Sequence, residues 1–266
     1  MTTGMVARSL TDERYKQIEP LPDPPPREMF VVNQFSHSAR ANYTLSWVFR
    51  GRTDVFWGGE GFLCIDTRPG SLRFVPDCMV AYGVDPDYVF ARNGYVISEM
   101  GKPPDFVMEI GSRTTGRIDV AKKREGYASF GVPECWRFDE TGGNYHGQPL
   151  AGDALIDGVY QPIPLQHESD GTIWGHSETL GLDIYWQDKK LRIKDPGTGE
   201  FFPEYNDAME ERDSALIERD TALNERDDAT RQRDLEIARR NEVEAELERL
   251  RQQLSRLQDE NSARRE

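Results

Sequence analysis

The segment 103–139 constrains the fold most, because it predicts a strand, a loop, a helix and a second strand in that order. Apolar residues dominate 106–110, and turn-forming residues follow over 111–116. An amphipathic stretch from about 117 to 130 ends at Gly131, Val132 and Pro133, and a second strand is predicted over 134–139. Two strands joined by a crossover helix pair in parallel, so we expect an α/β fold.

Two acidic residues lie in apolar, strand-like runs. Asp77 is the one charged residue in 74–80, and Glu109 is the one charged residue in 106–110. Side chains alternate along a strand, so Asp77 should share a face with Val75 and Met79, and Glu109 should share one with Val107. If the two strands are neighbours, the carboxylates meet. Taken singly, each acid could equally be a solvent-facing or turn residue.

Paired carboxylates favour hard divalent cations, and Lys123 on the predicted helix could face them. Carboxylate oxygens suit Mg²⁺ or Mn²⁺, ions that stabilise the charge developing during phosphodiester hydrolysis. Val120, Lys123 and Tyr127 fall at helical spacing. Lys123 has a simpler reading as a solvated lysine that pairs with Asp119 four residues earlier. Tyr127 is interpreted as a core residue.

The order and spacing of these residues resemble the Uma-two family of restriction endonucleases, within the PD-(D/E)xK nuclease superfamily. Pro76 and Asp77 match its first element, and 177–182 and 195–200 resemble the segments that close its domain. The remaining matches are Pro104, Asp105, Glu109, Ser112, Thr115, Asp119, Lys123, Tyr127, Gly131, Val132, Pro133, Glu134, Trp136 and Asp139. The resemblance covers roughly 30–205 and is more specific than a single Glu-x-Lys triplet.

The resemblance implies a restriction-endonuclease-like mixed central sheet flanked by helices, and Mg²⁺- or Mn²⁺-dependent hydrolysis of DNA. Asp77 and Glu109 would hold the metal with the carbonyl of Ile110, and Lys123 would act on the attacking water. Lys123 would replace the superfamily's usual lysine, whose place is taken by Gly111.

Several other residues are candidates around this site. Ser112 and Asp119 are candidate supporting residues, although Ser112 and Thr115 are also suited to helix capping. Some superfamily members carry another acid on the first helix. The first helix predicted here, about 36–49, has none, and His37 and Asn42 are the candidate substitutes.

The net charge of −14 opposes nonspecific DNA binding, which normally relies on a basic surface. DNA contact would therefore depend on a local cluster of basic residues near the site. Its members, besides Lys123, are Arg113, Arg117, Lys122 and Arg124.

The chain is predicted to have three parts: a proline-rich extended arm over 1–28, the endonuclease-like domain over 29–205, and a coiled-coil helix over 206–266. The last part repeats Glu-Arg-Asp every seven residues and ends in leucines spaced by four and three, which indicates a homodimer; the alternative is a solvated single helix.

No apolar run is long enough to span a membrane, and no secretory signal is evident, so a cytoplasmic protein is expected.

Two functions of other classes stay open at this point. The domain could be a catalytically silent module that binds nucleic acid in the same cleft. Alternatively, the coiled coil could be the main functional element of an assembly scaffold.

Overall fold

The computed structural model describes residues 15–25, 32–112 and 119–203, together with Arg226 and Arg233. The side chains of 32–36 and of Asp119 are not among the described parts. The chain divides into two units, Met1–Tyr205 and Asn206–Glu266. The predicted coiled coil and the dimer expected from it lie outside the described residues.

The first unit is built on a mixed six-stranded sheet with the strand order β1-β4-β6-β7-β8-β9. Only β6 and β7 are parallel within it, and a helix connects them, as predicted. The strands are β1 (Val55–Gly58), β4 (Cys78–Tyr82), β6 (Phe106–Ile110), β7 (Glu134–Phe138), β8 (Leu150–Ile156) and β9 (Val159–Pro162). The mixed α/β class expected from the sequence is confirmed.

Among the described residues, two smaller sheets and four α-helices surround this central sheet. A three-stranded sheet contains β3 (Arg73–Phe74), β2 (Phe62–Cys64) and β5 (Gly94–Val96) in that order. A five-stranded antiparallel sheet contains β10 (Gln166–His167), β11 (Ile173–Ser177), β12 (Leu182–Gln187), β13 (Lys190–Asp195) and β14 (Glu200–Phe201). The helices are α1 (Val32–Val48), α2 (Pro86–Arg92), α3 (Ile97–Met100) and α4 (Arg124–Phe130), the last preceded by a π-helical turn (Asp119–Lys123).

The alternation of side chains along β4 and β6 gives the central sheet two apolar faces. Cys78, Met108 and Ile110 point to one face, where they pack with α1 and with the five-stranded sheet. Met79 and Val107 point to the other, where they pack with α4 and the three-stranded sheet. The first face is therefore covered mainly by a second sheet, whereas the sequence had indicated helices as the flanking elements.

The apolar run 74–80, predicted to be one strand, is divided between two sheets. Phe74 ends β3 of the three-stranded sheet, and Cys78 begins β4 of the central sheet. Pro76 lies between them and has no N–H to donate to a ladder. Asp77 consequently lies just before β4, and its backbone is not part of the strand.

A buried carboxylate ties β7 to the five-stranded sheet. Glu134, 3% exposed, accepts hydrogen bonds from the indole N–H of Trp136 (3.0 Å), the hydroxyl of Ser177 (2.5 Å) and the backbone N–H of Thr179 (3.0 Å). Buried polar groups are tolerated when such partners satisfy them. This network joins the segment 134–136 to the segment 177–179.

Part of the arm predicted over 1–28 lies against the domain. Leu21 is buried, and its N–H donates to the carbonyl of Arg92 (2.8 Å). Tyr15 donates its hydroxyl proton to Asp85 (2.6 Å). None of the described helices combines the length and apolarity that a membrane span requires.

The Glu134 network yields a stability prediction. Glu134→Gln replaces one acceptor oxygen with an amide that faces donors, so we expect the free energy of unfolding to fall by about 2 kcal/mol. Urea denaturation would measure the change. Glu178→Gln removes an equal charge from the exposed neighbouring segment and serves as the control. Equal unfolding midpoints for the two variants would contradict a stabilising role for the network.

Asp139 organises the turn that follows β7. It is fully buried and accepts hydrogen bonds from the backbone N–H groups of Thr141 (2.9 Å), Tyr145 (2.7 Å) and His146 (2.8 Å). Burial by itself favours the neutral acid, but these donors and the Thr141 hydroxyl outweigh it and lower the pKa of Asp139. The ionised form is therefore the one that stabilises the fold.

A pH dependence follows from that lowered pKa. An aspartate has a pKa of about 3.9 when unfolded, so the stabilisation by Asp139 is complete above that pH and is lost as pH falls through the lower folded value. We expect Asp139→Asn to reduce the free energy of unfolding by about 2 kcal/mol at pH 7. The difference from wild type should narrow below about pH 4. Denaturation at pH 7, 5 and 3 would measure it, and a constant difference would refute the assignment.

Candidate metal and catalytic site

Asp77 and Glu109 are brought together by the antiparallel pairing of β4 with β6. Cys78 lies opposite Met108 in that ladder, so the preceding Asp77 is placed beside Glu109. The Asp77 carboxylate accepts a hydrogen bond from the N–H of Ile110 (2.7 Å) and extends the contact between the two segments. Both acids are essentially inaccessible, at 1% and 0% exposed.

Lys123 and Tyr127 reach Glu109 from the helical segment above the sheet. The Lys123 ammonium donates to Glu109 Oε2 (2.7 Å) and lies 3.4 Å from the carbonyl of Val75. The Tyr127 hydroxyl donates to Glu109 Oε1. Lys123 and Tyr127 are four residues apart, so one helical face supplies both donors. Each oxygen of the Glu109 carboxylate is thereby held by a different side chain.

Two glycines permit the close approach of backbone segments around these acids. A Cβ on Gly126 would lie 2.1 Å from the Phe74 ring, and one on Gly59 would lie 2.0 Å from the carbonyl oxygen of Asp77. Neither position has room for a methyl group. The helix carrying Lys123 and the loop after β1 can therefore lie directly against the segments that hold the acids.

Helix α1 contacts the same segment from the opposite side. Ser38 and Asn42 donate side-chain hydrogen bonds to the carbonyl of Asp77, at 3.2 and 3.3 Å. The amide of Asn42 also donates to the Ser38 carbonyl (2.9 Å), which fixes its orientation. His37 faces elsewhere, with Nε2 2.9 Å from Glu140. Of the two residues considered in place of a first-helix acid, Asn42 therefore contacts the Asp77 backbone and His37 contacts Glu140.

Gly111 stands at the position where the superfamily usually has a lysine, and Asp139 and His146 pack closely around it. A Cβ there would lie 3.3 Å from Asp139 and 3.3 Å from the His146 ring. A side chain there would require the Asp139 side chain or the His146 ring to move by a few tenths of an ångström. The space two residues after Glu109 is therefore filled, and the cation next to Glu109 comes from the helix.

The electrostatic effect of the acids is evident at their buried neighbour Cys78. Burial raises the pKa of this thiol above its ordinary value, and the negative charges of Asp77 and Glu109 raise it further. Cys78 therefore stays a neutral thiol, and it is a free cysteine like the buried Cys64 and Cys135. None of the three acts as a thiolate nucleophile at neutral pH.

The remaining predicted residues differ in their burial and in their distance from the candidate site. Ser112 is buried immediately after β6 and Gly111, and Lys122 is exposed on the helix. Arg124 pairs with Asp153 of β8 instead of extending into solvent. Arg113 and Arg117 lie outside the described residues, and so does the side chain of Asp119.

Tyr127 is the site residue that the sequence interpretation missed. It was assigned to the core, where it does pack, fully buried, against Phe74 with the ring centroids 5.2 Å apart. Its hydroxyl is nevertheless bonded to Glu109. The available signal was its spacing of four residues from Lys123, which places both on one helical face.

Solved structures that are similar to this chain include a bacterial protein. The chain is similar to a protein from Anabaena variabilis ATCC 29413 described as "a putative nuclease belonging to DUF820", with 16% sequence identity and a TM-score of 0.36. The match covers 56% of this chain and 73% of that one. No curated protein matches the chain.

The family comparison covers more than half of the chain. The model of the Uma2 family, described as "putative restriction endonuclease", matches residues 31–185. That range contains the paired acids, the helix with Lys123 and Tyr127, and the buried network of Glu134 and Ser177. The family resemblance expected from the sequence is confirmed, and the chain belongs to the Uma2 family.

Proposed function

We propose that this protein is a metal-dependent endonuclease that hydrolyses phosphodiester bonds of DNA. The observation that carries the proposal is the meeting of Asp77, Glu109 and Lys123, which come from three separate segments of the chain. A nuclease of the family to which the chain belongs would use such a set to hold a cation and to orient a water.

The donor chemistry fits a hard divalent ion. Asp77 and Glu109 place two carboxylates within a buried site, and Lys123 pairs with Glu109. Carboxylate oxygens are ligands of the kind that hard cations prefer. The described residues contain no group of three or more His, Cys, Asp or Glu side chains arranged for a metal. Mg²⁺ and Mn²⁺ match the site, because such ions are held by one or two carboxylates and keep several waters.

The residues of the chain take distinct roles in this proposal. Asp77 and Glu109 hold the ion, and the carbonyl of Ile110 completes the set of protein oxygens. When bound, the ion stabilises negative charge on the reacting phosphate. Lys123, as a cation, orients the attacking water and favours the loss of its proton to the surrounding solvent by stabilising the hydroxide that results. Tyr127 holds the Glu109 carboxylate in one rotamer, so that the ligand oxygens are positioned before substrate arrives.

The proposed metal-binding role of Asp77 and Glu109 can be tested by replacing each acid with its amide. We expect Asp77→Asn and Glu109→Gln each to reduce Mg²⁺-dependent nicking of supercoiled plasmid by at least about 100-fold, because each removes a charged ligand. Asp54→Asn is the control, since Asp54 is an exposed aspartate paired with Arg52. Circular dichroism would verify that all variants fold. Undiminished nicking by both site variants would exclude this site as the source of activity.

The proposed role of Lys123 can be tested by removing its charge. Lys123→Met keeps a long apolar stem but removes the cation, so we expect kcat to fall by about 100-fold with a small change in KM. Lys190→Met, on the exposed side of β13, is the matched control. If Lys123 were only a solvated helix lysine, the two variants would cleave at equal rates.

The same assays distinguish the other functional classes. A silent binding module would bind DNA without any metal-dependent cut. A scaffold would keep an intact site but lose its function when 208–266 is deleted. The homodimer expected from the heptads of 206–266 belongs to this proposal as well, and light scattering on the full chain and on the deletion tests it.

A further inference from the structure

A cavity of about 220 Å³ lies between the N-terminal arm, helix α2 and the loop after β1. Its apolar interior is formed by Phe56 of β1, Met79 of β4 and Val89 of α2, all of which are buried. Phe90 of α2 also lines the cavity and is 40% exposed. The cavity therefore extends from core side chains to a ring that solvent can reach.

The cavity and the paired acids lie on the same face of the central sheet. Met79 packs in the same apolar cluster as Tyr127, whose hydroxyl is bonded to Glu109. Met79 is also two residues after Asp77, so their Cα atoms lie no more than about 7 Å apart. A nucleic-acid strand whose phosphate lies at the acids would thus have a neighbouring base within reach of the cavity.

Glu60 lines the cavity in a backbone conformation that a glutamate rarely adopts. Its φ of 66° lies in the left-handed region. The N–H of Glu60 donates to the carbonyl of Pro76 (3.0 Å), and Gly59 lies directly against the carbonyl of Asp77. The Glu60 side chain is exposed and makes no hydrogen bond or ion pair within the described part of the chain. Strained residues that the fold does not use are typical of ligand sites.

Asp23 of the N-terminal arm brings a second carboxylate to the cavity. The amide of Asn93 donates to Asp23 (2.9 Å) and to the carbonyl of Leu21 (3.1 Å), which attaches the arm to the end of α2. With Asp23 and Glu60, the cavity combines an apolar interior with two exposed negative charges. Such a cavity repels a phosphate but suits a flat, largely apolar group that carries N–H donors.

We infer that this cavity binds an unpaired guanine base of the nucleic-acid substrate, and that Glu60 accepts hydrogen bonds from the base. The pairing edge of guanine carries two adjacent donors, N1–H and the N2 amino group, which match the two oxygens of a carboxylate. Adenine and cytosine present an acceptor nitrogen beside their amino group, and thymine presents one N–H between two carbonyls. The rings of Phe56 and Phe90 supply apolar contact for the base.

This inference rests on the proposed nuclease function, because a strand bound at Asp77 and Glu109 is what would deliver the base. It also narrows the substrate. A base inside a duplex cannot enter a cavity, so the strand must be single or the guanine must be turned out of the stack.

Binding of short, fluorescently labelled thymidine strands to the full chain, measured by anisotropy in EDTA, tests the inference. One strand contains thymidine alone, and the others carry a single central guanine, cytosine or hypoxanthine. We expect the guanine strand to bind roughly tenfold more tightly than the thymidine strand, as a two-bond contact to a base provides. Hypoxanthine lacks only the N2 amino group of guanine, so its strand should lose most of that preference.

Glu60→Gln keeps the size of the side chain but replaces one acceptor oxygen with an amide that faces the base. We expect the ratio of guanine-strand to thymidine-strand affinity to fall roughly tenfold. Comparing this ratio cancels the general gain in polyanion binding that follows the loss of a negative charge. Glu200→Gln removes an equal charge from an exposed position on β14 and should keep the wild-type ratio. Phe90→Ala should weaken binding of the guanine strand more than that of the thymidine strand.

The outcomes separate this inference from the proposed function. Equal affinities of the wild type for all the strands, with metal-dependent cleavage intact, overturn the guanine site and leave the nuclease. An equal preference for cytosine, or a guanine preference that persists in Glu60→Gln, also overturns it. A guanine preference that Glu60→Gln abolishes supports the site even if no strand is cleaved in Mg²⁺. The hypoxanthine comparison uses the wild type alone and decides if a variant does not fold.

Discussion

The hydrogen bond from the Ile110 N–H to the Asp77 carboxylate is the contact on which the site depends. It forms where the β4–β6 ladder ends, and it joins the last residue of β6 to the residue that precedes β4. A backbone donor is a fixed feature of the strand, so the carboxylate is positioned by the sheet itself. Glu109 precedes Ile110, and the same register therefore fixes both acids.

The charge distribution bears on the proposed DNA substrate. The overall charge is −14, which disfavours broad nonspecific contact with DNA. Within the domain, Lys123 pairs with Glu109 and Arg124 pairs with Asp153, so carboxylates balance these cations locally. A polyanion would therefore meet a repulsive field at a distance, and the proposed function depends on contacts made at short range inside the site.

Much of the site geometry was accessible from sequence because period-two alternation is strict. Asp77 and Glu109 could be assigned to one face of paired strands from their apolar neighbours. The break at Pro76 was not foreseen, because an apolar run gives no indication of the sheet to which each half belongs. The second role of Tyr127 and the pairing of Arg124 with Asp153 depend on contacts between distant segments. Local patterns do not encode such contacts, although the helical spacing of Tyr127 from Lys123 was an indication.

Gly126 sets the distance between the helix that carries Tyr127 and the segment that contains Phe74. Its missing side chain lets the helix rest on Phe74, and that closeness brings Lys123 and Tyr127 to Glu109. One added methyl group would force either the helix or the Phe74 ring to move, while leaving every charged residue of the site in the sequence. A related chain with a larger residue here would keep the acids and the lysine but not the spacing that brings them together. A search for active relatives should therefore examine the residue at this position as closely as the acids and the lysine.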